Sequence, residues 1–373
     1  MLVNDSVVKQ KKKVGILTFL HTLNYGAMLQ AYALETVLRS AGFDVVQLDY
    51  RNPKVDAFEF KHATSLKGRL ANLVRMPVIR RKAARFEEFR RAHVPSTVPL
   101  SREGLIDECA SLDYVVVGSD QVWNGLVTGF DATYFLDFIG DAGKKRTYAV
   151  SIGQDQVPTS TGVDYAHLLE GFPCVLVREK TASRELGLIC PGMRFEVVLD
   201  PTLLLGRDEW LGLAAESQVR HERPYVFVYA VGETRNSVAA AKEIAGKRDL
   251  EVVVLQQNGF LPIPGVTNLL SISPTDFLSY IANAEAVVTS SFHGTCLSIQ
   301  LERDFFVSYA TDGVKRNSRM SDLLDACGLE RRTLAGSLTD ASSIDWAEAR
   351  EKLTAMKRES LRLLFASLRG DRS

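Results

Sequence analysis

The sequence of 373 residues has little cysteine and no net charge. Its five cysteines are scattered and form no CxxC pair, which argues against a disulfide framework and favours a reducing, cytoplasmic location. The 45 basic residues are balanced by 45 acidic ones, so the charge excess typical of nucleic-acid-binding proteins is missing. No run of about 18 apolar residues occurs, and we expect no membrane-spanning helix. The first residues also lack the apolar core of a signal peptide.

The sequence does contain short apolar runs that alternate with longer helical patterns. Such runs predict strands at 14–19, 43–50, 113–118, 146–152, 174–178, 195–200, 225–231, 251–256, 286–290 and 305–309. Most are continuously apolar, as expected when helices cover both faces of a parallel sheet. The alternation predicts an α/β protein with two Rossmann-like domains that face each other across a cleft.

We place the domain boundary where Pro201 and Gly206 interrupt the pattern. The predicted domains are therefore 1–205 and 206–373. The last amphipathic segment, 346–368, is predicted to be one long helix and is a candidate to pack back across the junction.

Residues 54–102 do not fit the alternation, because twelve basic residues meet only four acidic ones there. The favoured interpretation is a helical insertion with a solvated basic face. The alternative is a peripheral contact with an anionic membrane surface, which would place the protein at the inner face of the membrane. Nucleic acid is disfavoured, since no aromatic stacking platform accompanies the charge.

The first candidate for chemistry follows the first predicted strand, at Asn24 and Gly26. In open α/β sheets ligands bind outside the carboxyl ends of the strands, and the free N–H groups of a following helix suit an anion. No GxGxxG motif is present, which disfavours a dinucleotide. The alternative is that both residues only form the turn and the helix start.

The next candidates are Ser119, Asp120, Trp123 and Asn124, which follow the predicted strand 113–118. Asp120 could accept a proton from a hydroxyl nucleophile. The polar cluster together with Trp123 also suits the face of a sugar. Asp120 could instead be a helix cap or turn residue, a role that aspartate often has.

Arg178 stands at the end of an apolar strand, where an unpaired charge is unfavourable. Its partner is either a carboxylate such as Glu179 or a bound phosphate or carboxylate, which a guanidinium binds in a bidentate manner. The residue pattern leaves both open.

The strongest local signal is the segment 286–295, in which Ser290, Ser291 and His293 follow a strand. His293 would lie at the carboxyl edge of the second sheet, where an imidazole that titrates near neutral pH can transfer a proton. No second His or Cys lies at ligand spacing, which argues against a metal site. Three cations follow the next strand on the same edge and form either an anion clamp or a solvated helix start: Lys315, Arg316 and Arg319.

Six segments, taken in order, resemble the polysaccharide pyruvyl transferase family. They are NYGAMLQAYAL, VVVGSDQVWN, VREKTASREL, VLDPTLLL, AEAVVTSSFHGTCLSIQL and KRNSRMSDLLDACGLE. The resemblance implies a fold similar to two-domain GT-B glycosyltransferases. It also implies transfer of a pyruvyl group from phosphoenolpyruvate to sugar hydroxyls of a cell-surface glycan or its lipid-linked precursor, giving a pyruvate ketal. Phosphoenolpyruvate would be the donor substrate, and no cofactor is implied.

The resemblance also implies roles for individual residues. His293 matches the family's presumed acid, Arg178 its strand-end arginine, and Lys315 or Arg316 its basic residue after the last strand. Ser291 stands where many members carry an arginine, and Arg316 or Arg319 would compensate. Two alternatives remain open: a GT-B-type glycosyltransferase that uses a nucleotide sugar, and a non-catalytic glycan-binding relative.

Overall fold

A computed structural model describes residues 11–60, 66–157, 163–232, 234–257, 261–309, 317–334 and 343–369. Among these residues the first domain contains strands β1 (Lys13–Leu17), β2 (Asp44–Gln47), β3 (Tyr114–Val117), β4 (Lys145–Thr147), β5 (Val175–Val177) and β6 (Phe195–Val197). The first four form a parallel sheet in the order β2-β1-β3-β4, and β5 pairs with β6. An isolated parallel bridge between Val150 and Val177 connects the two groups into one layer.

Helices cover this sheet and form the insertion. They are α1 (Tyr25–Ser40), α2 (Pro53–Phe60), α3 (Leu66–His93), α4 (Arg102–Ala110), α5 (Gly125–Thr128), α6 (Tyr165–Leu169) and α7 (Lys180–Ile189). The crossover connections bring the carboxyl ends of β1, β3 and β5 to one edge, as parallel pairing requires.

The second domain repeats this architecture with a five-stranded parallel sheet in the order β11-β10-β7-β8-β9. Its strands are β7 (Tyr225–Ala230), β8 (Glu251–Gln256), β9 (Thr267–Leu269), β10 (Ala286–Thr289) and β11 (Phe305–Val307). Its helices are α8 (Arg207–Ala215), α9 (Arg235–Arg248), α10 (Pro274–Ala282), α11 (Phe292–Gln300), α12 (Ser318–Cys327) and α13 (Trp346–Arg369). Every residue of the central strand β7 is buried, which explains its unbroken apolar sequence. The predicted α/β fold with two parallel sheets is confirmed.

The two domains share one hydrophobic core at their junction. Tyr25, at the start of α1, stacks on Phe277 of α10 with ring centroids 4.8 Å apart. Its hydroxyl donates a hydrogen bond of 3.1 Å to the carbonyl oxygen of Ile272. The side chain of Gln257 donates in the opposite direction, to the carbonyl oxygen of Leu23 at 2.8 Å. Aromatic burial and satisfied polar groups therefore hold the first domain against the second.

The last helix, α13, crosses back onto the first domain as expected. The backbone N–H of Leu199 donates to Ser360 Oγ at 3.0 Å, and Arg146 donates to the carbonyl oxygen of Ser367. Both serines belong to α13, whereas Leu199 and Arg146 belong to the first domain. This helix is thus part of the domain junction.

The insertion is helical and also joins the domains. Lys82 of α3 donates to the carbonyl oxygen of Gln257 at 3.3 Å, and Arg85 pairs with Asp276 at 3.0 Å. The outer face of α3 carries the exposed residues Arg80 and Arg81. A solvated basic face accounts for these two arginines, and contact with a membrane stays a prediction. No helix in the described ranges is both long and apolar enough to cross a membrane.

Candidate active site

A buried carboxylate, that of Asp200, lies at the point where the two domains meet. Its Oδ2 accepts hydrogen bonds from Ser119 Oγ at 2.9 Å and from Arg178 Nη1 at 3.0 Å. The same oxygen lies 3.4 Å from His293 Nε2. Its Oδ1 accepts from the backbone N–H and the hydroxyl of Thr202, at 3.0 and 2.7 Å. Asp200 therefore joins the end of β5 in the first domain to the start of α11 in the second.

The charges in this cluster are strongly coupled. Burial alone would raise the pKa of Asp200, but His293 and Arg178 hold that pKa well below its usual range. Burial would likewise lower the pKa of Arg178, but the carboxylates of Asp200, Asp120 and Glu179 raise it. Arg178 is therefore a permanent cation inside the protein.

Arg178 has more donors than its partners use. Asp120 Oδ1 and Glu179 Oε2 lie 3.8 and 4.0 Å from its Nη2 and Nε, too far for hydrogen bonds. Within the described residues Nε and Nη2 have no hydrogen-bond partner, although only 1% of the side chain is exposed. Buried donors of this kind need a partner, and a bound anion would supply one.

A second guanidinium, that of Arg319 on α12, lies beside the first. The Cζ atoms of Arg178 and Arg319 lie 4.7 and 5.7 Å from the centre of the Phe292 ring, within the range of cation–π contacts. Burial and the nearby Arg178 lower the pKa of Arg319 to about 10. Arg319 makes no hydrogen bond or ion pair with another described residue. Two adjacent arginines with unused donors form an anion-binding arrangement.

Two helices begin at this point without a side-chain cap. Helix α7 follows Glu179 and helix α12 follows Asn317, and neither residue caps its helix through its side chain. The partial positive charge of each helix start is therefore available to an anion. Glu179 instead accepts from Ser151 Oγ at 2.9 Å and from the backbone N–H of Ile152 at 3.0 Å, and burial raises its pKa.

His293 lies in the first turn of α11, against the start of α1. A Cβ atom at Gly26 would overlap His293 Nδ1, so only glycine allows this close approach. The His293 side chain is 8% exposed and is held between Gly26 and Asp200. This environment fixes the ring relative to Asp200 and, through Asp200, relative to Arg178.

A cavity of about 190 Å³ adjoins the two arginines. Phe292, Leu323, Met356 and Ser360 line it, together with Arg178, Arg319 and Asp200. The lining thus combines cationic, acidic and apolar side chains, and residues of α13 contribute to it. Within the described ranges no group of three or more His, Cys, Asp or Glu residues is arranged to hold a metal ion.

The structure brings together five of the residues that the sequence indicated: Ser119, Asp120, Arg178, His293 and Arg319. Asp120 has a positive φ of 83°, which costs energy for a residue other than glycine and often marks a functional position. Lys315 and Arg316 lie outside the described residues.

The prediction that Trp123 offers a face to a sugar is wrong. Its side chain is 2% exposed and stacks on Phe135 with ring centroids 4.9 Å apart. Its indole N–H donates to the carbonyl oxygen of Tyr134 at 2.9 Å. Both its apolar surface and its polar atom are thus used inside the core.

Four further residues have structural roles in place of the predicted contact with substrate. Asn24 caps α1 by accepting from the N–H groups of Gly26 and Ala27, and Ser291 caps α11. Gly26 provides the space for His293. Ser290 exchanges hydrogen bonds with the backbone of Val231. For Asn24, the structure agrees with the alternative interpretation, in which the residue forms the turn and the start of a helix.

Two residues of the site were not predicted. Asp200 is the last residue of the predicted strand 195–200, and Phe292 directly precedes His293 in the segment 286–295. The signal for Asp200 was an aspartate directly after an apolar strand and before a proline, a position that often provides a helix or turn cap.

The fold and site first define a class: the chain is a two-domain α/β protein of the GT-B type. Its structure is similar to that of UDP-GlcNAc 2-epimerase from Neisseria meningitidis bound to UDP-GlcNAc, with a TM-score of 0.51, 11% identity and coverage of 96% of this chain and 100% of that one. For the UDP-GlcNAc 2-epimerase of Methanocaldococcus jannaschii in complex with UDP-GlcNAc and UDP, the TM-score is 0.47 and the identity 11%, with coverage of 94% of this chain and 93% of that one. For the glycosyltransferase SnogD from Streptomyces nogalater, the TM-score is 0.39 and the identity 13%, with coverage of 96% of this chain and 99% of that one. At 11% identity the likeness to the Neisseria enzyme concerns the fold alone.

The chain belongs to the polysaccharide pyruvyl transferase family, whose model matches residues 24–309. The match includes Arg178, Asp200 and His293 and therefore covers the central cluster of the site. No curated protein matches the chain.

Proposed function

We propose that this protein transfers a pyruvyl group from phosphoenolpyruvate to two hydroxyls of a sugar and forms a pyruvate ketal. The observation that carries the proposal is the pair of guanidinium groups of Arg178 and Arg319. Both lie beside the Phe292 ring, Arg178 has two unused donors, and Asp200 contacts both Arg178 and His293. A small metabolite with a phosphate and a carboxylate matches two neighbouring guanidiniums.

In the first step His293 donates a proton to the methylene carbon of the donor. Positive charge then develops on the carbon that bears the phosphate, and a sugar hydroxyl forms a C–O bond to it. Asp120 accepts the proton that this hydroxyl loses. Asp200 Oδ2, 3.4 Å from Nε2, orients the imidazole.

In the second step the C–O bond to the phosphate breaks, and the phosphate leaves with the bonding electrons. A second hydroxyl of the same sugar attacks the carbon and gives its proton to the neutral imidazole of His293, which closes the ketal and restores the acid, while Asp120 passes its proton to the phosphate. The products are the ketal and inorganic phosphate. Arg178 and Arg319 stabilise the negative charge that grows on the departing phosphate.

Calorimetric titration of the full chain with phosphoenolpyruvate tests donor binding. We expect Arg319→Gln to weaken it about 10-fold or more, because a charged hydrogen bond contributes about 1.5–3 kcal/mol. Arg81→Gln is the matched control, since Arg81 is exposed on α3 and distant in sequence from the site. Absence of binding to the wild-type chain, or equal affinity of both variants, would contradict the proposal.

Turnover is tested by phosphate release and by mass spectrometry of the sugar, which should gain one pyruvate less one water. We expect His293→Gln to retain donor binding and lose phosphate release, because it removes the acid and not the anion site. A parallel titration with a UDP-sugar separates the alternative activity. Binding of the UDP-sugar without binding of phosphoenolpyruvate would favour a glycosyltransferase.

A further inference from the structure

Three amide side chains lie next to Asp120, outside the arginine and histidine cluster. Gln154 Nε2 donates a hydrogen bond of 3.0 Å to Asn124 Oδ1, and Asn124 Nδ2 donates one of 2.7 Å to Gln121 Oε1. We call Gln121, Asn124 and Gln154 the amide relay. It connects the end of β3 with the loop that follows β4.

The backbone fixes the direction of this relay. Asn124 Oδ1 also accepts the N–H of Leu126 at 3.1 Å, because Asn124 caps helix α5. The oxygen of Asn124 must therefore face Leu126 and Gln154, and its nitrogen must face Gln121. Two groups at the ends of the relay make no hydrogen bond with the described part of the chain: the donor Nε2 of Gln121 and the acceptor Oε1 of Gln154.

The loop backbone is shaped around these amides. Gly153 has a positive φ of 66°, and a Cβ atom there would overlap Gln121 Oε1 and stand 2.7 Å from Asn124 Nδ2. Any side chain at this position would displace the relay, and the left-handed backbone would strain it further. Both glutamines are only half-buried, so their free groups remain accessible to a ligand.

The relay adjoins the proposed reaction centre. The backbone N–H of Gln121 donates to Asp120 Oδ1 at 2.8 Å, and this oxygen lies 3.8 Å from Arg178 Nη2. A ligand bound to the relay would therefore lie beside the carboxylate and near the anion site.

We infer that the amide relay is the acceptor subsite, in which Gln121 donates to one hydroxyl of a sugar ring and Gln154 accepts from another. A sugar hydroxyl both donates and accepts, and so matches a free amide N–H and a free amide oxygen. Asn124 is a positioning residue that holds the two glutamines apart at a fixed orientation. This inference rests on the proposed function for the role of the bound sugar as acceptor.

The test compares Gln121→Leu and Gln154→Leu with Gln156→Leu. Gln156 is exposed on the same loop and lies outside the relay, so its substitution is the matched control. The probes are the p-nitrophenyl β-glycosides of glucose, galactose, mannose and N-acetylglucosamine. Their binding to each full-length variant is measured by saturation-transfer NMR in the presence of phosphoenolpyruvate.

We expect at least one glycoside to bind the wild-type chain and the Gln156→Leu control equally. Each relay variant should bind it about 5- to 10-fold more weakly, because one neutral hydrogen bond contributes about 1 kcal/mol. In turnover the KM for that sugar should rise while the affinity for phosphoenolpyruvate is unchanged. Unchanged glycoside affinity in both relay variants, or failure of the whole panel to bind, would overturn the subsite.

The two proposals fail in different ways. Loss of glycoside affinity in the relay variants, with no binding of phosphoenolpyruvate to the wild-type chain, would support the subsite and overturn the proposed reaction. Ketal formation by variants that keep wild-type glycoside affinity would overturn the subsite alone.

Discussion

Replacing Asp200 with asparagine tests the buried cluster directly. The amide can keep an oxygen for Thr202 only by placing its N–H₂ group against the Arg178 guanidinium; in the flipped orientation a neutral oxygen faces Arg178 and the N–H₂ group faces the donors of Thr202. Removing one partner of a buried ion pair costs about 3–5 kcal/mol. Asp120 and Glu179 still lie 3.8 and 4.0 Å from Arg178, so we expect the lower end, about 3 kcal/mol of unfolding free energy.

The assay is urea unfolding followed by tryptophan fluorescence at pH 7, with Asp137→Asn as the control. Asp137 pairs with Arg102 at 2.9 Å, but the two side chains are 30% and 37% exposed, so its loss should cost less than about 1 kcal/mol. The pKa of Asp200 is lowered in the folded state, so its contribution is complete above its unfolded pKa of about 3.9 and falls at lower pH. The difference between Asp200→Asn and wild type should shrink below that pH. Equal costs for the two variants at pH 7 would refute the reasoning.

Three further perturbations have defined outcomes. Gly26→Ala should destabilise the protein by about 1–3 kcal/mol and reduce turnover, because the added Cβ would overlap His293. The control Gly246→Ala lies on α9 with open space around it, and it should stabilise the protein by about 0.5–1 kcal/mol. Thermal or urea unfolding measures both effects. Burial raises the pKa of Glu35 to about 7, so the folded protein holds a proton there that the unfolded chain releases, and this contribution to wild-type stability should fall as the pH rises from about 4.5 to 7. The urea midpoints of Glu35→Gln should lack this pH dependence. An identical pH dependence in both proteins would contradict the raised pKa of Glu35. Ser360→Ala should lower the free energy of unfolding by about 1–2 kcal/mol in the same assay, because it leaves the buried backbone N–H of Leu199 unpaired. An unchanged free energy of unfolding would show that this hydrogen bond does not hold α13 against the first domain.

Much of the fold could be predicted because its strands are buried on both faces. The strand predicted at 225–231 corresponds to β7, which begins at the same residue and ends one residue earlier, at Ala230. The sequence did not predict strand β9, because Thr267–Leu269 has three residues and only one of them is apolar. This strand is defined by its pairing with β8 and has no alternating or continuous apolar pattern of its own. The division of the domains at 205 and 206 stays a prediction.

The candidate site could be predicted only where a residue follows a strand. Arg178 and His293 stand at carboxyl ends of parallel strands, and the topology brings such positions together without further information. Trp123 also follows a strand, but its environment depends on Phe135, which lies on another segment. The amide relay depends on contacts between two loops, and single-sequence spacing contains no signal for such pairing.

The position of Asp200 connects the chemistry of the site to the arrangement of the domains. Arg178 and Ser119 reach its carboxylate from the first domain, and His293 reaches it from the second. Neither domain alone contains both the anion-binding Arg178 and the imidazole. A movement that separated the domains would draw His293 away from Gly26 and Asp200 and leave the acid without its orienting partner. In the proposed reaction, proton transfer from His293 would therefore require the docked arrangement, in which binding, orientation and exclusion of water occur together.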